Sequence, residues 1–383
     1  MKEFLYEKLD DWVIKMGTTS KKEALLLPFM QIPTGHHHVA DAIMEELQLA
    51  IQTMNCEKVD ILSYSYGIVE KLVSSAYIHW INKLPSAYDK VYSYLAVKNQ
   101  TKRTRQLLYE AMFTSFFKKL MNENKPSILF CTHCLPSNIA SVLKQKGRID
   151  AITVNVYTDY FINRVWGIDG IDFHLVPSKK VKDFLMELGV DANKIFITGI
   201  PVHPIFKERK SSPKRKRNLH VLVGGGSLGI GSIEKIIPEQ PTIQYTVLCG
   251  HNEKLYNKLQ QLNEPNITPV RYINNKVAMN QLYNNVDAVI TKPGGVTISE
   301  CLMKHIPIFT CNALPGQEKV NELELESLGV INRLVSNRQN VEQQIMEFFQ
   351  CQEQQKAYAK RVKEYHSYIE KQSLVEILVE LCR

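Results

Sequence analysis

Two glycines and a glutamate near residue 300 have the types and spacing of an anion and sugar site. Gly294 and Gly295 follow an apolar run, so a turn there would let the backbone approach a ligand closely and reach φ values that other residues avoid. A helix predicted to begin near Thr297 presents free N–H groups and a positive dipole end, which attract an anion. Glu300 lies one turn further on the same face. A carboxylate beside phosphate would pair with an uncharged diol such as ribose, so the stretch indicates a nucleotide-diphosphate pocket.

The same residues also fit a purely structural interpretation. Thr297-x-x-Glu300 is a capping box, in which the glutamate reaches back to the first helical turn. Taken alone, this stretch does not separate a capped helix from a ligand site, and both interpretations stay open.

A second glycine turn carries histidines. His36 to His38 follow Gly35, between a predicted strand at 24–32 and a predicted helix at 39–51. Zinc-binding histidines are usually spaced by three or more residues, so consecutive ones on a turn do not favour a metal site. A single histidine with a proton-transfer task fits better, because an imidazole titrates near neutral pH. Three solvated turn residues are the alternative.

Asp159 lies in a Thr-Asp-Tyr sequence directly after the predicted strand at 152–157. Ligands of open α/β sheets bind beyond the carboxyl ends of the strands. The position therefore places the Asp159 carboxylate where chemistry would occur.

Two loops of the second half add groups suited to a nucleotide sugar. Gly224, Gly226 and Gly229 satisfy G-x-G-x-x-G, but the next strand ends in Cys-Gly-His-Asn, without the acid that an NAD-binding unit uses for its ribose. The motif is weak for NAD and still suits close backbone approach to a ligand. The loop and first helical turn at 315–321 carry amides and a carboxylate apt for sugar hydroxyls. Another capped helix start is the alternative.

Strands and helices alternate in both halves, which predicts a doubly wound parallel α/β sheet in each. The Cys131-Thr-His-Cys134 sequence could be a redox pair, but no second pair exists to complete a zinc site, and small residues are common at a strand end, so packing is favoured. Further strands are predicted at 59–62, 127–130, 172–177, 194–199, 220–224, 245–248, 267–273, 288–290 and 306–310.

Size and composition favour two domains in a reducing compartment. With 383 residues and 44% hydrophobic content, one core is unexpected. The eight scattered cysteines, the absence of an apolar run near the roughly 20 residues that span a bilayer, and an N-terminus unlike a signal peptide predict reduced thiols in the cytosol. A net charge of +8 favours an anionic partner: nucleic acid, anionic lipid or a phosphorylated ligand.

Domain limits follow from a basic, polar run at 207–218. It could be a nucleic-acid or nuclear-localisation tract, but a charge run between two folded halves is more often a linker. We therefore predict an N-terminal domain at 1–206 and a C-terminal domain at 219–383.

The helical stretch 67–121 mixes tyrosines with cations. It suits a membrane interface, although an ordinary helix pair with a basic solvated face is slightly favoured.

Taken together, these residues resemble the monogalactosyldiacylglycerol synthase and processive diacylglycerol glucosyltransferase group, which is related to MurG-type transferases. The similar stretches cover most of the chain from residue 25 onward: Gly35-His36, 158–166, 221–227, 249–252, 292–300 and 315–321. The chain departs from the group at Pro33-Thr34-Gly35, where a Gly-x-Gly turn is usual, and at Asn163, where a histidine is common.

The resemblance implies the GT-B fold, with two Rossmann-like domains facing across a cleft and a C-terminal helix crossing back. It implies a UDP-sugar in the C-terminal domain, with the Ile273 backbone at the uracil, Glu300 at the ribose, and the diphosphate at the glycine turn. The implied donor-binding residues are Gly226, Ser227, His251, Ile273, Gly294, Gly295, Thr297, Glu300, Gln317, Glu318 and Asn321. Gly35, Asn163 and Trp166 are implied on the acceptor side.

The implied reaction is inverting transfer of a hexose from a UDP-sugar to a hydroxyl of a diacylglycerol-type lipid, at the inner face of the cell membrane. His36 or Asp159 would take the proton, while helix N-termini and Lys292 would stabilise the departing diphosphate. Because no Asp-x-Asp occurs, we expect metal independence; no cofactor is needed and no nucleic acid is expected. A UDP-sugar epimerase, a transferase with a non-lipid acceptor, a silent nucleotide-sugar sensor and a nucleic-acid-binding protein are the alternatives.

Overall fold

The computed structural model describes most of the chain in detail. The described residues are 23–29, 35–66, 107–207, 218–224, 236–238, 240–311, 313–314, 316–335 and 341–381. The predicted linker at 207–218, apart from its two end residues, lies outside them, as do Gly226, Ser227 and most of the stretch 67–121.

The first half contains one six-stranded parallel sheet in the order β2-β1-β3-β4-β5-β6. Its strands are β1 Glu23–Leu27, β2 Asn55–Lys58, β3 Ile128–Cys131, β4 Ile152–Val156, β5 Phe173–Val176 and β6 Ile195–Ile197. Its helices are α1 Gly35–Ala50, α2 Ile61–Tyr66, α3 Leu107–Asn124, α4 Cys134–Gln145 and α5 Lys179–Glu187.

The second half contains another six-stranded parallel sheet, in the order β12-β11-β10-β7-β8-β9. Its strands are β7 His220–Gly224, β8 Gln244–Gly250, β9 Ile267–Arg271, β10 Ala288–Thr291, β11 Ile308–Thr310 and β12 Asn332–Arg333. Its helices are α6 Glu253–Leu262, α7 Lys276–Asn285, α8 Gly295–Lys304, α9 Gln317–Leu328, α10 Val341–Gln350, α11 Gln352–Ser367 and α12 Leu374–Leu381.

The strand orders decide where a site forms. In the first sheet the chain reverses its winding between β1 and β3, and in the second between β7 and β10. Ligands of doubly wound sheets bind beyond the carboxyl ends of the strands at such reversals. The carboxyl ends of β1, β3, β7 and β10 therefore mark the place where a ligand is expected.

The C-terminal helices return to the first half, as the resemblance implied. The Tyr365 hydroxyl of α11 donates to the Pro177 carbonyl at 2.8 Å, and the Glu370 N–H donates to the Ile197 carbonyl at 2.8 Å. The following helix α12 packs against α1, with Leu378 fully buried. The predicted fold, with two Rossmann-like sheets and a returning C-terminal helix, is confirmed.

Two local expectations were wrong. The strand predicted at 59–62 is β2 at Asn55–Lys58, and helix α2 begins at Ile61. An edge strand pairs on one side only and needs no apolar run, whereas Ile61 is fully buried at a helix start. The helix expected near Thr297 begins at Gly295, two residues earlier.

The limits of the two predicted domains remain a prediction, because the linker residues 208–217 lie outside the described part. In the part of the chain that the structure describes, none of the helices is long and apolar enough to cross a bilayer.

Candidate active site

A cavity of about 490 Å³ lies between the two halves, at the carboxyl edges of both sheets. We call it the cleft cavity. Most of the predicted site residues line it: Gly35, His36, Asp159, Ile273, Gly294, Gly295, Thr297, Glu300, Gln317, Glu318 and Asn321. The topology thus brings together residues that lie almost 300 positions apart in the chain.

The glycine turn after β10 serves a different purpose from the one expected. Gly294, the N-cap of α8, has φ −84° and ψ 150°, and neither it nor Gly295 has a positive φ. The expectation of unusual φ values was therefore wrong. A Cβ on Gly295 would overlap the Thr158 carbonyl of the first half, whereas one on Gly294 would meet no atom within 4 Å. Gly295 lets the two halves touch, and Gly294 leaves the helix N-terminus open to the cavity.

Glu300 does not form the capping box. Its Oε2 accepts a hydrogen bond from the Tyr283 hydroxyl at 2.8 Å, and Gly294 provides no side-chain cap for α8. Burial raises the pKa of Glu300, while the nearby Lys276 ammonium and the Tyr283 hydrogen bond oppose the rise. A buried carboxylate with one fixed partner keeps its other lone pairs for a ligand. The arrangement favours the ligand interpretation of this motif.

His36 is held as a neutral base. Its Nδ1 lies 2.7 Å from the Thr132 carbonyl and 3.0 Å from the Thr158 hydroxyl. A carbonyl only accepts, so Nδ1 carries the proton and Nε2 keeps its lone pair. Burial lowers the pKa of His36 to about 4, against a smaller raising effect of the Thr132 hydrogen bond. The ring is neutral near pH 7 with an unprotonated Nε2.

Asp159 makes a contact across the cleft instead of orienting His36. Its Oδ2 accepts a hydrogen bond from the Gln317 amide at 2.7 Å. Burial raises the pKa of Asp159 to about 6, and the Gln317 hydrogen bond moderates the rise. Since Thr132 and Thr158 hold His36 Nδ1, the carboxylate is a separate group on the same wall.

The loop before α9 also has structural contacts. Asn321 is buried and joins the halves: its Oδ1 accepts from the Tyr160 N–H at 2.7 Å, and its Nδ2 donates to the Pro293 carbonyl at 2.6 Å. Glu318 accepts from the Leu314 N–H at 2.8 Å. No side chain caps α9, whose N-cap is Gly316, so these contacts fix the loop and the domain junction with residues that also line the cleft cavity.

Four predicted residues of the described part lie outside the cavity lining. The Asn163 Oδ1 accepts from the Val165 N–H at 3.0 Å within its own turn, and the Trp166 ring packs on Tyr157 with centroids 4.6 Å apart. His251 stacks on Tyr272 at 4.2 Å, and Tyr272 itself lines the cavity. Lys292 is also absent from the lining and lies 3.6 Å from Glu318.

Sequence reasoning missed His38, His133 and Lys276 as cavity residues. Lys276 Nζ donates to His38 Nδ1 at 3.3 Å, which bridges the two halves. His133 lies in the Cys-Thr-His-Cys sequence, which was interpreted only through its two cysteines. The signal for it was its place directly after a strand, the same signal that identified Asp159.

Among the described residues, no group of three or more His, Cys, Asp or Glu is arranged to hold a metal ion. The described cysteines are free, which includes Cys131 and Cys134. Metal independence remains a prediction.

Comparisons with known proteins address the family. The model of monogalactosyldiacylglycerol (MGDG) synthase matches residues 36–202, and that of the glycosyltransferase family 28 C-terminal domain matches 220–373. The uncharacterized glycosyltransferase YkoN of Bacillus subtilis strain 168 is 41% identical over 362 residues, covering 93% of this chain and 96% of its own length.

Two further similarities are more distant. A processive diacylglycerol beta-glucosyltransferase of Staphylococcus epidermidis is 26% identical, covering 82% of this chain and 81% of its own. The crystal structure of Acinetobacter baumannii MurG has a TM-score of 0.58 at 12% identity, covering 94% of this chain and 99% of its own. The MurG likeness concerns the fold alone.

Proposed function

This chain belongs to the glycosyltransferase family of the MGDG synthases and family 28 enzymes, and we propose that it moves a hexose from a UDP-sugar to a hydroxyl of a diacylglycerol-type lipid. The observation that carries the proposal is the cleft cavity, with the neutral His36 on one wall and the N-terminus of α8 on the other. A base and an anion site on opposite walls are what transfer from a sugar diphosphate requires.

The second half suits the donor. The open N-terminus of α8 at Gly294 offers N–H groups and a positive dipole end to a diphosphate. Glu300, fixed by Tyr283, accepts hydrogen bonds from the ribose hydroxyls, and the Ile273 backbone meets the uracil. Gln317 and Glu318 reach the sugar from α9, beside Asp159.

The first half suits the proton transfer. The acceptor oxygen attacks the anomeric carbon as its proton passes to His36 Nε2, and the bond to the diphosphate breaks with its electron pair remaining on the phosphate oxygen. Attack opposite to the leaving group inverts the anomeric centre. The pKa of about 4 makes His36 a weak base in the empty site. The Thr132 carbonyl and the negative diphosphate stabilise the His36 imidazolium that forms in this step.

We propose that the transfer needs no metal ion. The leaving diphosphate gains charge, and preorganised groups that face it supply the stabilisation. The N-terminus of α8 and the cavity residue Lys276 fill this role, while Lys292 lies outside the cavity lining and beside Glu318. EDTA should therefore leave the transfer rate unchanged.

A lipid acceptor is supported by the diacylglycerol acceptor named for the Staphylococcus epidermidis relative, together with the net charge of +8, which favours contact with anionic lipid. We place the protein in the cytoplasm, at the inner face of the cell membrane. An acceptor that is not a lipid is the alternative, and a transfer screen decides between them.

The test combines binding with transfer. We expect UDP and one UDP-hexose to raise the melting temperature, because a ligand of the folded state stabilises it, and dioleoylglycerol in mixed micelles to receive the labelled hexose. Glu300→Gln should weaken UDP binding by about 10- to 100-fold, the effect of losing a charged hydrogen bond. The matched control is Glu342→Gln, a buried glutamate bound to Thr242 outside the cavity, with unchanged UDP affinity.

Two outcomes would contradict the proposal. Turnover of the UDP-sugar to an epimer without any acceptor would identify an epimerase. Equal UDP affinity in the Glu300→Gln and wild-type proteins would remove the ribose assignment.

A further inference from the structure

His133 shares the cavity wall with His36 and has no role in the reaction described so far. It is the N-cap of α4, and its Nδ1 accepts a hydrogen bond from the Leu135 N–H at 3.2 Å. A nitrogen that accepts carries no proton, so a neutral His133 has its proton on Nε2. The backbone thus determines the tautomer.

The surroundings keep this ring neutral and in one plane. Burial lowers the pKa of His133 well below its usual value, and the neighbouring His36 lowers it further. The ring stacks on Phe29, with centroids 4.7 Å apart and planes 14° apart. The Cys134 Sγ lies 4.0 Å from both ring nitrogens. Burial raises the pKa of this thiol, so it stays protonated and is only a weak acceptor.

His36 has the opposite tautomer. Its Nδ1 carries the proton, so its Nε2 accepts, whereas the Nε2 of His133 donates. The two rings lie edge to face, with centroids 4.6 Å apart. The Thr132 carbonyl fixes the tautomer of His36, and the Leu135 N–H fixes the tautomer of His133. Both residues line the cavity, so its wall carries one acceptor and one donor.

A hydroxyl group is the ligand that matches this pair. It has one proton and two lone pairs. The proton suits His36 and one lone pair suits His133, which leaves the second lone pair directed away from both rings.

We propose that His133 binds the acceptor hydroxyl, donating its Nε2–H to the oxygen that attacks the sugar while His36 Nε2 takes the proton of that hydroxyl. The inference rests on the transfer proposed above. The oxygen forms its bond to the anomeric carbon with the free lone pair, and the electron pair of the broken bond leaves with the diphosphate. His133 neither gains nor loses a proton in this step, so it is a donor with a fixed direction.

The kinetic test separates the hydrogen-bond donor from the helix cap. His133→Ser keeps an oxygen that caps α4 but removes the ring donor. We expect a lower melting temperature, because the stacking contact with Phe29 is lost, an unchanged Kd for the UDP-hexose, and a fall of about 10- to 100-fold in kcat/KM for dioleoylglycerol, the effect of losing one hydrogen bond in a buried site. Ser178→Ala is the matched control, since Ser178 caps α5 outside the cavity lining. It should lower the melting temperature and leave kcat/KM unchanged.

A spectroscopic test needs no variant of the site. Long-range ¹⁵N–¹H correlation spectra of the wild-type protein should show His133 protonated at Nε2 and His36 protonated at Nδ1. The same tautomer in both rings would overturn the inference, and so would wild-type kcat/KM in His133→Ser. In either case UDP-hexose transfer by the wild-type protein still supports the proposed function, whereas no transfer to any hydroxyl acceptor would end both.

Discussion

The two walls of the cleft cavity are built from different chemical groups. The wall from the first half presents side chains: His36 and His133, whose tautomers the backbone sets, and Asp159, whose pKa burial raises. The wall from the second half presents the backbone itself at Gly294, with Glu300 as its buried acid. A wall of side chains can perform proton transfer, and a wall of N–H groups can bind a diphosphate whatever its sugar.

The difference between the two walls follows from the residues at which the helices facing the cavity begin. In the first half, α1 begins at Gly35 and α4 at Cys134, and a histidine stands at each start. In the second half, α8 begins at Gly295, and its N-cap Gly294 provides no side-chain hydrogen bond to the first turn. The comparison predicts that variants of the second wall change binding or domain contact, and variants of the first wall change the chemical step.

The largest effect on stability is expected for Gly295→Ala. The new methyl group would overlap the Thr158 carbonyl and lie 2.8 Å from Ile200 Cδ1, so the two halves must separate. We expect the free energy of unfolding to fall by about 3 kcal/mol, at the upper end for overpacking. Transfer should fall by about 100-fold, because shifted reacting groups lose their alignment. Urea unfolding and transfer assays measure the two effects.

The adjacent Gly294→Ala is the matched control. A Cβ there meets no atom within 4 Å and the backbone is in an ordinary extended region. Its stability should match the wild type, while the methyl group narrows the diphosphate site and weakens UDP binding. Equal losses of stability in both variants would contradict this division, in which Gly295 serves the contact between the halves and Gly294 the access of the ligand.

The largest effect on the chemical step is expected for His36→Ala. Removing a general base lowers kcat by about 10²- to 10⁴-fold, while UDP affinity stays unchanged because the second half holds the nucleotide. His37→Ala, at a neighbouring position outside the cavity lining, is the control with unchanged kcat. A weaker UDP affinity with normal kcat would place His36 on the donor side and break the division between the walls.

Sequence patterns predicted the elements of both walls, but not the contacts that fix the tautomers and the close approaches of their residues. The strand–glycine–helix pattern identified His36 and Glu300, because turn and helix-start signals are local. The partner that fixes the His36 tautomer, Thr132, lies 96 residues away in sequence. No local pattern reports that distance, nor the overlap that requires glycine at 295.

The same limit explains the misread details. A positive φ was expected for glycines whose actual constraint is the Thr158 carbonyl of the other half. The histidine of Cys-Thr-His-Cys was overlooked because its meaning depends on His36, which only the fold brings to it.

The smallest expected effect concerns the pH dependence of stability, and it compares two groups of the same wall. Burial raises the pKa of Asp159 to about 6, so the folded protein binds this proton more tightly than the unfolded chain, and stability falls as pH rises from about 4 to 6. Burial lowers the pKa of His36 to about 4, so the unfolded chain binds that proton more tightly and stability rises between about pH 4 and 6.5.

The two contributions oppose each other in the wild-type protein, and Asp159→Asn removes only the first. We expect the free energy of unfolding of this variant to rise more steeply between pH 4 and 6 than that of the wild type, by about 2 kcal/mol over the interval. Asparagine keeps an oxygen for the Gln317 amide, so the cross-cleft contact survives and the difference reports the charge. Urea unfolding at a series of pH values measures it, with Asp183→Asn on the exposed face of α5 as the control. Parallel pH profiles for the wild type and Asp159→Asn would mean that folding does not change the pKa of Asp159. Of the two groups, only His36 would then make stability depend on pH.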